Sequence, residues 1–180
     1  MLSDIRIAIS GKSGCGNTTV SSLVAEALGL TLINYTFRNM ARERGMEFSN
    51  FCRLAEEDLS YDRMLDEKQV ELASQGSCVL GSRLAIWLLK EADVKVYLKA
   101  SFSVRVERII QREGGEYETV MADTAERDRR DRNRFFKLYG IDNDDYSFAD
   151  LIIDTDRLDS RTVANIIIEA ARNITRLPKL

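Results

Sequence analysis

The sequence predicts an α/β fold: a doubly wound, five-stranded parallel sheet with helices on both faces. Three observations carry this. Five short apolar runs, rich in β-branched residues, are spaced along the chain. Stretches of helical periodicity separate them, and such alternation specifies βαβ units and a mostly parallel sheet. No repeat, low-complexity tract or linker interrupts the 180 residues, and the only proline is Pro178. A chain of this length forms one domain with a substantial core.

"IRIAIS" (5–10) reads as the first strand, and "TTVSSLVAEALG" (18–29) as a helix stopped by Gly29. "LTLINY" (30–35) is a second strand. The pattern over about 36–75 is helical, in pieces broken near Gly45 and Ser60. "SCVLGS" (77–82) is a third strand, "RLAIWLLKEA" (83–92) a helix and "VKVYLKA" (94–100) a fourth strand. "SFSVRVERIIQRE" (101–113) is a helix opened by Ser101 and broken by Gly114 and Gly115. A long charged helix follows, ending at Gly140. "DLIIDT" (150–155) is the fifth strand, and residues 160–177 form a closing amphipathic helix capped by Ser160.

Composition narrows the chemistry. The chain is 44% hydrophobic and 31% charged, as in a globular protein, and no apolar run is long enough to span a membrane. "MLSDIRIAIS" reads as a first strand and not a signal peptide. The three cysteines (Cys15, Cys52, Cys78) form neither a zinc spacing nor a disulfide framework, which suits a reducing cytoplasm. There is no histidine. That excludes Ser–His and Cys–His nucleophiles, histidine metal sites and imidazole acid–base catalysis. The net charge of −3 gives no reason to expect nucleic acid as the main partner.

After the first strand comes "GKSGCGNTT", Gly11, Lys12, Ser13, Gly14, Cys15, Gly16, Asn17, Thr18 and Thr19. Its three glycines let backbone amides converge on a phosphate, and the helix that follows adds its N-terminal amides and dipole. Thr18 holds the place of a magnesium-ligating hydroxyl. Where such a loop carries its lysine, this chain has Asn17, so the cations must come from elsewhere. Lys12 either folds back over the phosphates or points to solvent. Cys15 is a spacer that contributes its amide.

The arginines are the candidate source. Arg127, Arg130 and Arg134 fall at i, i+3 and i+7 on one helix face, with Asp131 one turn after Arg127 and able to hold it. Arg105, Arg108 and Arg112 share a face by similar spacing. Two such helices about a double-glycine turn, over about 105–134, read as a cationic lid for polyphosphate; the alternative is a solvated face laced with ion pairs. Trp87 reads as core, and the carboxylates of "LAEEDLSYDR" as a solvated helix end.

"GKSGCGNTT", "TFRNMARERGM", "LAEED", "DEKQVELA", "RLAIW", "VKVYLKA", "RVERIIQREG" and above all "ERDRRDRNR" together resemble the cytidylate kinases, in their compact type 2 branch. The resemblance runs nearly end to end and implies the fold of nucleoside monophosphate kinases with a phosphate-binding loop and a helical lid. It implies ATP as phosphoryl donor, Mg2+ as cofactor and CMP or dCMP as acceptor, in a cytoplasmic enzyme, expected to be a monomer. That family tolerates a non-lysine residue before its threonines. "TFR" aligns with the segment that grips the acceptor monophosphate, pointing to Arg38, and Arg83 resembles an arginine beside the acceptor. Arg127, Asp131 and Arg134 match phosphate-binding arginines and their bridging acid. Arg108, Arg112, Arg130 and Arg134 are then expected around the transferred group. Relatives usually carry an acid and a glycine before Arg83, where this chain has Gly81 and Ser82. Two alternatives stay open: a kinase of another acceptor such as UMP or AMP, and a nucleotide-binding protein with little catalysis.

Overall fold

The computed structural model describes residues 5–174. At its centre is a five-stranded sheet of β1 (Arg6–Gly11), β2 (Thr31–Ile33), β3 (Cys78–Gly81), β4 (Val94–Lys99) and β5 (Leu151–Asp154). The order is β2-β3-β1-β4-β5 and every pairing is parallel. β1 lies in the middle, and its residues beyond Arg6 are buried to the last, because helices cover both faces. On one face α1 (Asn17–Leu28) and α8 (Ser160–Ile174) pack through Val24, Ile167 and Ala171 onto Ile7, Ile9 and Val96. On the other, Ala8, Leu80 and Tyr97 meet Ile86 and Leu89 around α5 (Ala85–Leu88). The alternation of Ile7, Ala8 and Ile9 between these two cores is the period of a strand.

Two helical units have small cores of their own. α2 (Phe37–Glu43), α3 (Phe48–Glu57) and α4 (Ser60–Ser74) surround the fully buried Phe51, whose ring lies 5.6 Å from Phe37 and 5.2 Å from Tyr61. α6 (Phe102–Glu113) and α7 (Tyr117–Tyr139) form a hairpin over Val106, Ile109 and Val120. Gly115 turns it at φ 112°, where a Cβ would stand 2.8 Å from Val120 Cγ2.

Several elements differ from the sequence reading. The second strand is three residues long. The helix expected over 83–92 is a single turn. Leu89 leaves it at φ −83°, ψ 81° to bury its side chain, and the following residues turn so that Asp93 donates its N–H to Arg6 O. Ser101 occupies the N-cap of α6 but makes no capping bond with its side chain. At α8 the cap is Asp159, whose Oδ1 accepts the Thr162 N–H at 2.7 Å, and Ser160 is already helical. The expected end of that helix, at 177, lies outside the described residues, as does Pro178. Among the described residues no helix is long and apolar enough to cross a membrane.

Candidate functional site

The carboxyl ends of the strands are where a doubly wound sheet binds ligands. From the end of β1 the chain runs through 11–16 into α1. Gly14 and Gly16 stand at φ 87° and 95°, a region that side chains avoid. Space is equally restrictive. A Cβ on Gly11 would lie 2.5 Å from Leu98 O, and one on Gly14 2.8 Å from Arg105 O. Asn17 points back into the turn, with Nδ2 donating to Gly11 O at 2.8 Å. Its side chain thus braces the loop from inside. Cys15 spends its N–H on Lys12 O at 3.1 Å, which corrects the expectation that this amide is offered to a phosphate. Its thiol is buried, and burial raises its pKa, so it is an inert packing group.

Cationic side chains surround this loop with distinct attachments. Arg105 is buried and pairs with Asp128, its Nη2 2.5 Å from Oδ2, while Nη1 donates to Ser13 O at 3.1 Å. Arg108 donates to Thr155 O at 2.5 Å and to Thr155 Oγ1 at 2.9 Å. These two arginines tie the α6–α7 hairpin to the loop and to the end of β5. Arg127 Nη1 donates to Ser13 Oγ at 3.2 Å and has no carboxylate partner among the described residues. Beyond it runs a chain of alternating charge. Arg83 meets Asp131 at 2.6 Å, Asp131 meets Arg134 at 2.9 Å, and Arg134 meets Asp62 of α4 at 2.9 Å. Asp62 and Asp131 are both buried. Burial raises the Asp62 pKa, opposed by the Arg134 guanidinium. Lys12 reaches Asp144 at 2.6 Å.

Three cavities follow the loop in sequence. One of about 480 Å³ lies between α6 and the β5–α8 turn, lined by Arg108, Gln111, Thr155 and Ser160. The second, about 310 Å³, is floored by residues 11–14 and 16–19 and bounded by Ser82, Arg83 and Arg127. A third of about 570 Å³ lies among α2, α3 and α7. The first two share Gly14, Gly16, Thr19 and Arg112, and the last two share Arg83 and Arg127. The cleft is continuous, with two guanidiniums at its inner junction.

Residues 6–157 match the sequence profile of the Cytidylate kinase-like family. Cytidylate kinase 2 of Borreliella afzelii is 48% identical over 167 residues, covering 91% of this chain and 94% of its own length. The chain belongs to the cytidylate kinase-like family. Cytidylate kinases of Pyrococcus horikoshii (41% identical, 89% of this chain and 85% of theirs) and Methanocaldococcus jannaschii (37%, 94% and 99%) match over similar spans. Among solved structures, shikimate kinase from Acinetobacter baumannii in complex with shikimate superposes with a TM-score of 0.63 at 20% identity, over 94% of this chain and 93% of that one. Shikimate kinase from Bacteroides thetaiotaomicron gives 0.62 at 18%, over 96% and 99%. At such identities the likeness is one of fold, and it bears out the doubly wound phosphate-loop kinase architecture.

The structure brings most of the expected family residues together. Gly11, Lys12, Ser13, Gly14, Gly16, Asn17, Thr18 and Thr19 line the central cavity, with Cys15 buried behind them in the wall of the first. Arg83, Arg127, Arg130, Asp131 and Arg134 line the third. Others lie elsewhere. Arg38 is exposed, its guanidinium 4.0 Å over the Phe48 ring, and does not line that cavity. Arg108 is held by Thr155 in the wall of the first cavity, away from the inner junction. Asp131 holds Arg83 at 2.6 Å and Arg134 at 2.9 Å, and not Arg127 as expected. The expected solvated helix end is so only in part: Glu56 is exposed at the third cavity, whereas Asp62 is buried in its wall. No local spacing marks Asp62, since its partner lies 72 positions along the chain.

Proposed function

We propose that this protein transfers the γ-phosphoryl group of ATP, with Mg2+, to CMP or dCMP. One observation carries the reading: the continuous three-part cleft, with Arg83 and Arg127 where the loop cavity opens into the third. The first cavity suits the donor base and ribose, the loop its phosphates, the third the acceptor. The family membership and the identity of the relatives select cytidylate among acceptors.

The acceptor phosphate is itself an anionic nucleophile, so no side-chain base is needed and the absence of histidine is no obstacle. What remains is positioning and neutralisation of charge spread over the transferred group. Backbone amides of the loop and the start of α1 hold the donor phosphates. Arg127, with no carboxylate partner among the described residues, and Arg83, fixed by Asp131, face both phosphate sites. Arg134 is oriented by Asp62 and Asp131 toward the acceptor. Arg112 and Arg130 are exposed and available to close over the reacting groups. The hydroxyls of Thr18 and Ser82 line the loop cavity, and no carboxylate does. Such a donor set fits Mg2+ brought in with the nucleotide: Thr18 would be its protein ligand, and the ion would supply charge neutralisation on the transferred group.

A phosphotransfer assay with CMP, dCMP, UMP and AMP side by side tests the assignment. CMP and dCMP are expected to give kcat/KM well above AMP and UMP. A higher value for AMP or UMP would overturn the cytidylate assignment and leave the fold untouched.

A further inference from the structure

The third cavity carries a polarity pattern that bears on which base it accepts. One wall is α7, α4 and the turn after β3, and its carboxylates are already engaged: Asp131 pairs with Arg83 and Arg134, and Asp62 with Arg134, while Arg127 and Arg130 keep this side cationic. The other wall is Phe37 from α2, Cys52, Ala55 and Glu56 from α3, and Leu59. Among these, Glu56 is the exception. It is exposed, lines the cavity, and makes no hydrogen bond or ion pair among the described residues. A carboxylate on an otherwise apolar wall, with no protein donor among the described residues, is an acceptor free to take one from a ligand.

We infer that Glu56 is the residue that reads the acceptor base, taking a hydrogen bond from an exocyclic amino group. The inference rests on the acceptor assignment above. An acceptor's phosphate is pinned at Arg83 and Arg127, the two residues this cavity shares with the phosphate loop. The base therefore extends away from them, toward the α2–α3 wall. In a pyrimidine nucleotide the ribose is on N1, and C4 lies directly across the ring, so the 4-substituent reaches furthest. In cytosine it is an amino group, and a carboxylate accepts its N–H in a charge-assisted bond. In uracil it is a carbonyl, and a carboxylate facing it leaves two acceptors opposed with no donor between them. A site built to pair one group discriminates strongly against an analogue that leaves its own polar group unpaired. Phe37 and Leu59 supply apolar surface for the ring without adding a donor.

The test is kcat/KM for CMP and UMP in the full chain carrying Glu56→Gln and, separately, Glu56→Ala. Glu56 is on the surface of α3, so neither change disturbs a core. Glutamine presents an amide N–H to the 4-carbonyl. The Glu56→Gln protein is expected to lower the CMP:UMP ratio at least tenfold, chiefly through a lower KM for UMP and a higher one for CMP. In Glu56→Ala the CMP value falls and the UMP value rises, because the acceptor opposed to the 4-carbonyl is gone. A ratio within twofold of wild type in both variants, with wild type preferring CMP, overturns the inference about Glu56 and leaves the cytidylate reading intact. Wild-type failure to phosphorylate CMP overturns both.

Discussion

Gly81 and Ser82 stand where the family resemblance implies an acid and a glycine, and the structure gives a reason at the first of them. β3 ends so close to α1 that a Cβ on Gly81 would lie 2.3 Å from Ser21 Oγ and 2.8 Å from Ser21 Cβ. Ser21 is buried, so it has nowhere to retreat. No side chain fits at position 81, and the arginine that follows takes its carboxylate from α7 instead, through Asp131 at 2.6 Å. Gly81→Ala is accordingly expected to destabilise the protein by about 1–3 kcal/mol, the usual cost of overpacking a core. Denaturant unfolding checks this, and adding Ser21→Gly should recover most of the loss. Without that recovery, the contact with Ser21 is not the cause. Gly81 shows what sequence reading misses here: its departure from the family pattern was visible, but the neighbour that enforces it lies on another element.

Helices α4 and α7 are joined by polar contacts at two heights, Asp62 to Arg134 and Tyr139 Oη to Asp66 Oδ2 at 2.8 Å. Burial pushes the Asp66 carboxyl up to about 6, while the Tyr139 hydroxyl bond opposes that rise. A carboxyl raised in the folded state binds its proton more tightly there than in the unfolded chain. Its contribution to stability is therefore complete below about pH 4 and is lost as pH rises through about 6. Asp66→Asn abolishes this titration. Measured by denaturant unfolding, the stability difference, wild type minus variant, should shift toward wild type between pH 7 and pH 4. A difference independent of pH would mean that Asp66 titrates as an ordinary carboxylate. At this scale the sequence was legible where periodicity and glycine stops are strong: the helices about Gly45, the double-glycine hairpin and the stop at Gly140 stand as read. It failed where tertiary packing decides, as at α5, which yields to the burial of Leu89, and at α8, where Asp159 caps one residue before the expected serine.

For the whole molecule, strand–loop–helix context located the phosphate loop and the charge pattern located α6 and α7, so most of the cleft was readable. What each arginine does was not readable. Spacing grouped Arg105 with Arg108 and Arg112, yet Arg105 is buried against Asp128 and supports the loop, because only the fold brings Ser13 and Asp128 to it. The account that emerges is of a loop whose lysine position is given to a brace, Asn17 to Gly11 O, and whose charge is met from α7 and the end of β3. Lys12, the loop's own cation, is engaged by Asp144. The most direct test is to compare kcat and ATP affinity in Arg127→Ala and Lys12→Ala. Losing a cation aimed at the transferred group costs on the order of 3 kcal/mol, roughly a hundredfold or more in rate. Arg127→Ala should therefore lose at least that in kcat while ATP affinity changes only a few-fold, and Lys12→Ala should lose far less. If Lys12→Ala abolishes turnover while Arg127→Ala stays within a factor of two, the charge comes from the loop and the account is contradicted.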